Sequence, residues 1–167
     1  MIPASRQRNY LQSALYVVIA GVLAALLLDR LLTYAEAMEK AAMEATVSQL
    51  TTALYARLAL NVLRGDALAV EELETQSPFR TAHADSPAYL GEFDGLPPGA
   101  EGGKWYFDSA TRELVYLPNL KRNLEGAVMS DSRATLRFRT EVRRTATNAY
   151  AGIVLRPVAE WRWEPKP

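Results

Sequence analysis

The sequence predicts an α+β fold, with a long N-terminal helix (a transmembrane half, then an amphipathic half) packed on a small antiparallel β-sheet. Three observations predict it. Residues Leu11 to Leu28 form one apolar run broken only by Gln12, Ser13, Tyr16 and Gly21. From Leu31 to Arg64 there is neither proline nor glycine, and Ala, Leu, Met and Glu dominate, all good helix formers. Beyond Gly103 the hydrophobic period changes from helical to alternating, which marks strands.

The apolar run comes first. A bilayer core of about 30 Å needs about 20 mostly apolar residues in a helix, and Tyr10–Leu28 approaches this before Asp29 and Arg30 end it. A cleaved signal peptide is the alternative, with Arg6 and Arg8 as its charged flank. The run exceeds the roughly 7–15 residues of a signal core, and a helical pattern follows it instead of an Ala-x-Ala exit. The reading adopted is an uncleaved anchor: a leader over 1–9 and a span over 10–32. Arg6 and Arg8 on the short flank place the N-terminus in the cytoplasm under the positive-inside rule. The expected location is the inner (cytoplasmic) membrane, single-pass, with the C-terminal domain outside the cytoplasm. Tyr10 and Tyr34 fall near the two ends, where aromatic rings favour the interface.

The remainder of the 167 residues is enough for one ordinary domain. Nineteen basic and nineteen acidic residues cancel, which argues against a dedicated nucleic-acid binder. The charges are nevertheless segregated. Asp66, Glu71, Glu72, Glu74, Asp85, Glu92, Asp94, Glu101 and Asp108 make one stretch mainly acidic, and the chain from Lys121 onward is mainly basic. Two mutually attracting solvated faces, or an electrostatic docking surface, both follow from this. With no cysteine there is neither a disulfide framework nor a thiolate-ligated metal.

Residues 33–76 extend the long helix and add a short second one. Val47, Leu50, Leu54, Leu58 and Val62 recur at the spacing of one helical face. This stripe packs on the chain's own domain or forms a seam for a partner helix, so Val47, Leu50, Leu54 and Leu58 are partner-binding candidates. Glu36, Lys40 and Glu44, four apart, read as a solvated face. Arg64-Gly65 reads as a helix end, and Asp66 as the cap of a short helix reaching about Glu74. Residues 77–103, rich in proline and glycine, read as a loop connector. In 104–167, Lys104–Asp108 and Glu113–Leu117 read as a β-hairpin with a four-residue loop. Ala134, Leu136, Phe138, Thr140 and Val142 alternate with Thr135, Arg137, Arg139, Glu141 and Arg143, an apolar face against a charged one. Tyr150–Leu155 and Ala159–Glu164, the latter with Trp161 and Trp163 on one face, complete a sheet of about four or five strands. Alternation places Trp105 and Phe107 toward the helix stripe.

The segment Gly103-Lys104-Trp105-Tyr106-Phe107-Asp108, then Leu114-Val115-Tyr116-Leu117-Pro118, resembles a W-Y-F-D…L-x-Y signature. That signature belongs to pilin-like accessory proteins of type IV pilus biogenesis, particularly of mannose-sensitive haemagglutinin-type pili. Ser77-Pro78-Phe79 and Pro87-Ala88-Tyr89-Leu90-Gly91-Glu92 are similar to proline-containing segments that precede it there. The resemblance implies a pilin- or pseudopilin-like fold, and membership of a type IV pilus or type II secretion assembly. The chain departs from a prepilin at the start of its apolar run, where Gln7-Arg8-Asn9-Tyr10-Leu11-Gln12-Ser13 stands in place of a Gly-Phe-Thr-Leu-x-Glu segment. Extracting an unprocessed chain into a filament would draw Arg6 and Arg8 through hydrocarbon at about 2.5–3.5 kcal/mol each. A fixed membrane component is therefore favoured over a filament subunit.

Catalytic signals are sparse. His83 is the only histidine and stands beside Asp85 without a second ligand; Gly99 to Gly103 lacks the lysine and serine of a phosphate loop. Ser130, Asp131 and Ser132 have no general base beyond His83. Glu92, Asp94, Glu101 and Asp108 do not match a 12-residue calcium loop. The expectation is a non-enzymatic structural or accessory subunit with no cofactor, metal, nucleic acid or small-molecule substrate. Its partners are the membrane and other pilus or secretion subunits. The alternative is a bitopic extracytoplasmic sensor or ligand-binding domain. Arg137, Arg139 and Arg143, three like charges on one strand face, meet either the acidic Glu71–Glu74 segment of the same chain or an acidic partner, and are candidate partner-binding residues.

Overall fold

A computed structural model describes residues 4–147 and 149–164, with side chains from residue 13 onward. Helix α1 (Ala4–Leu63) is continuous over 60 residues, about 90 Å at 1.5 Å per residue. Its side chains from residue 13 through Leu32 are exposed, including Leu15, Val17, Val22, Leu23 and Leu26 to Leu28. Such a surface is stable only when something apolar surrounds it, and this long apolar helix fits a membrane span. Arg6, Arg8 and Tyr10, on which the expected orientation rests, lie outside the residues whose side chains are described.

Helix α1 ends where the sequence places its end. The Asp66 N–H reaches back to the Asn61 carbonyl and Gly65 takes φ +69°, the left-handed closure that glycine adopts without steric cost. Asp66 then caps α2 (Ala67–Glu72), its carboxylate accepting from the Ala69 N–H at 3.0 Å.

The connector expected over 77–103 is more ordered than a loop. It contains helix α3 (Pro78–Ala82) and strand β1 (Tyr89–Phe93). Each is five residues long, too short to show a period. Long-range packing orders them: the Phe79 and Tyr89 rings stack at 4.3 Å. Strand β1 lies parallel to β2 (Lys104–Asp108), with Trp105 N–H donating to the Ala88 carbonyl and Ser109 N–H to that of Phe93.

Strand β2 and β3 (Glu113–Leu117) form the expected hairpin, pairing Lys104 with Leu117 through Asp108 with Glu113. After β4 (Leu124–Glu125) and β5 (Val128–Ser130) comes the long β6 (Arg133–Arg144), followed by β7 (Tyr150–Pro157) and β8 (Arg162–Trp163). The main sheet has six strands: β1, β2, β3 and β6 in order, with β5 and β7 both paired to β6. It is antiparallel except at β1–β2, so it is larger and more mixed than expected. The segment Ala159–Glu164 does not join it. Only Arg162 and Trp163 are strand, and they pair with β4 in a separate two-stranded sheet.

One face of the main sheet carries the core. Met43, Leu50, Leu54 and Leu58 of α1 pack with Trp105, Leu114, Tyr116, Leu136, Phe138, Ile153 and Leu155. Fully burying one such leucine contributes roughly 1.5–3 kcal/mol. The opposite face is covered as well: Tyr106, Val115 and Leu117 lie under Phe93, Leu96 and Ala100.

Candidate functional site

The end of the domain nearest the exposed apolar half of α1 is held to that helix by carboxylates. Glu36, read from sequence as solvated, is 2 % exposed. Its Oε1 accepts from the Asn123 N–H at 2.9 Å and from the Trp163 indole N–H at 3.0 Å, and its Oε2 accepts from the Asn123 amide at 2.6 Å. One turn further, Glu39 accepts from the Tyr116 hydroxyl at 2.9 Å, the Asn119 N–H at 2.6 Å and the Leu120 N–H at 2.9 Å. Below them Asp29, the first polar residue after the apolar run, accepts from Arg122 at 2.6 Å. The segment 119–123 thus runs alongside α1, its backbone held at Glu39 and Glu36 and its Arg122 side chain reaching down to Asp29.

Charge-assisted bonds of this kind are about twice as strong as neutral ones. Burial pushes the Glu36 carboxyl up, but its donors from Asn123 and Trp163 outweigh that, and it titrates below its ordinary value. Burial, and then the bond to Glu39, push the Tyr116 hydroxyl above its ordinary range. A signal for this clasp was present in the sequence. Stepping back by sevens from Leu50 passes Met43, Glu36 and Asp29, so the inward stripe continues into acids. The i, i+4 spacing of Glu36, Lys40 and Glu44 pointed instead to solvent, and only Lys40 and Glu44 form such a pair, at 3.7 Å.

The arginines of β6 do not make one uniform outward face. Arg137 is largely buried, with 12 % of its side chain exposed. Its Nη1 bonds Asp108 at 3.1 Å and Glu113 at 3.0 Å. Burial lowers its basicity, but the bonds to Glu113 and Asp108 more than offset that and hold the guanidinium charged. Arg139 bonds Glu113 at 2.6 Å. It stands directly opposite Arg156 in the register, and Arg156 in turn meets Glu141 at 3.6 Å. Arg143 is exposed and forms no ion pair among the described residues. The partners of Arg137 and Arg139 are therefore Asp108 and Glu113, which the hairpin places beside β6. The Glu71–Glu74 segment, named from sequence, serves differently: Glu74 accepts the Val142 N–H at 2.7 Å and Glu71 lies 3.9 Å from Arg144.

Val47 packs against the core, and Leu50, Leu54 and Leu58 lie within it, so none of these leucines is open to a partner helix. Arg143 is the candidate left most accessible, and Arg139 remains half exposed. The aromatic residues are structural neighbours: Trp105 lies 4.7 Å from Tyr116 and 5.9 Å from Phe138, ring centre to ring centre. His83 Nδ1 lies 2.6 Å from Arg57. Among the described residues no group of three or more His, Asp or Glu side chains is placed to hold a metal ion. A cleft of about 680 Å³ opens between the 99–102 loop, the segment following β3 and the start of β6. Comparison with protein-family models, curated proteins and solved structures returned no match.

Proposed function

We propose that this protein is a non-enzymatic, membrane-anchored, pilin-like structural or accessory subunit of a type IV pilus or type II secretion assembly. One observation carries the reading. A single unbroken helix serves as an exposed apolar stem along its first half and as the spine of a mostly antiparallel sheet domain along its second. The clasp at Asp29, Glu36 and Glu39 ties that domain to the stem from its first extramembrane turns, so stem and domain move together. A rigid coupling of this kind suits a scaffold component, whose task is to present a surface at a set height above the bilayer. The W-Y-F-D hairpin supplies two interior strands of that sheet, with the Trp105 ring in the core.

Deleting the gene and assaying surface pili, exoprotein secretion and transcription tests the reading. Loss of pili or of secretion, restored by the full chain, is the expected result. Intact pili and secretion with an altered transcriptional response would overturn it in favour of a sensor.

A further inference from the structure

We infer that the cleft beside the 99–102 loop is a docking site for the phosphate of an anionic phospholipid headgroup. The inference rests on the reading of α1 as a membrane span. Its height is set by the clasp. Asp29 stands at the end of the apolar run, and its ion pair brings Arg122 to that level. Glu39, which holds Asn119 and Leu120, is ten residues on, about 15 Å higher along the helix. Lys121 lies between Leu120, held at Glu39, and Asn123, held at Glu36, about 10–15 Å above Asp29 along the helix, while the Arg122 side chain reaches down to Asp29. The headgroup layer occupies about 5–8 Å on each side of a hydrocarbon core of about 30 Å, so the Lys121 side chain, extended toward the bilayer, reaches from the lower lip of the cleft to the headgroups.

The lining suits a phosphate. Lys121 and Arg133 line the cleft together with Asn119, and among the described residues Glu101 is its only acidic lining residue. Arg133 is tied to the cleft itself, its Nη1 donating to the carbonyl of Ala100, another lining residue. The wall is built closely: a Cβ on Gly102 would stand 2.5 Å from the Asn119 Cα. Lys121 is exposed and makes no side-chain hydrogen bond or ion pair among the described residues. A snorkelling lysine with a free ammonium near a membrane surface is placed to meet phosphate oxygens.

The test uses the full chain in detergent micelles, titrated with phosphatidylglycerol or phosphatidylcholine, with bound lipid counted by native mass spectrometry. Phosphatidylglycerol is expected to be retained in preference. Lys121→Gln and Arg133→Gln should each reduce that preference about fivefold, while Arg143→Gln, ten residues along β6, leaves it unchanged. Lys121 supports nothing in the fold, so Lys121→Gln decides the matter even if Arg133→Gln fails to fold. Equal retention of the two lipids, or a preference that survives Lys121→Gln, overturns the inference. Displacement by glycerol phosphate at equal concentration overturns it in favour of a soluble phosphate ester. Failure of the span itself is read separately, by carbonate extraction of the chain from membranes, which does not involve the cleft.

Discussion

At the scale of single residues, Glu36 carries the most unusual burden. A carboxylate with 2 % exposure is tolerated because three N–H donors surround it, and removing it strands all three. Glu36→Ala is expected to destabilise the protein by at least about 3 kcal/mol, since a buried unpaired donor costs about 1–3 kcal/mol. Glu44→Ala, which removes only an exposed pair with Lys40, should fall within about 1 kcal/mol of wild type. Thermal melts of the two variants in the same detergent compare them directly. Tyr106 makes the opposite case. Its hydroxyl is buried without a hydrogen-bond partner, so Tyr106→Phe should leave the melting temperature unchanged or raise it. A clear fall would reveal a partner for that oxygen. Leu54, fully buried between helix and sheet, should cost about 2–5 kcal/mol when cut to Ala.

At the scale of elements, α1 and the 116–123 segment form one cooperative unit joined by Glu36 and Glu39, and its pH dependence follows from the shifts. The carboxyl of Glu36 titrates below its ordinary 4.5. It therefore contributes stability that is fully present above pH about 4.5 and is lost as pH falls through the folded value. Tyr116 titrates above its ordinary 10.0, so its contribution is complete below about pH 10 and is lost as pH rises further. A melting profile against pH should be flat between these limits. Glu36→Gln should flatten the acid limb, and Tyr116→Phe the alkaline one. The unit was half legible in the sequence. Helix, stripe and hairpin are periodic, and all three were read at close to their true bounds. Segment 119–123 has no period; it is ordered by acids about 80 residues earlier in the chain, a relation that no local pattern displays.

At the scale of the whole molecule, the charge segregation closes mostly upon itself, through partners other than those the sequence suggested. Reversing Arg137 to Glu would set three carboxylates together in a largely buried site, and breaking a buried pair typically costs about 3–5 kcal/mol. Arg143→Glu should leave the melt unchanged. If an acidic partner docks on this face, Arg143→Glu should also weaken co-purification and reduce its salt dependence; full retention of partners at low salt would show that β6 is not the docking face. By itself the sequence determined the apolar stem, the long helix, the hairpin and the alternating β6, because a helical or strand period is a local consequence of where apolar side chains must point. Tertiary structure alone decided which donors meet Glu36 on the inward stripe, that Arg137 is enclosed by Asp108 and Glu113, and that β1 and α3 form within a proline-rich stretch. It also decided that the far side of the sheet is roofed by Phe93, Leu96 and Ala100. Each of these depends on partners brought together from distant parts of the chain, and whether a polar group can be buried is settled by the donors that reach it, which sequence spacing does not encode.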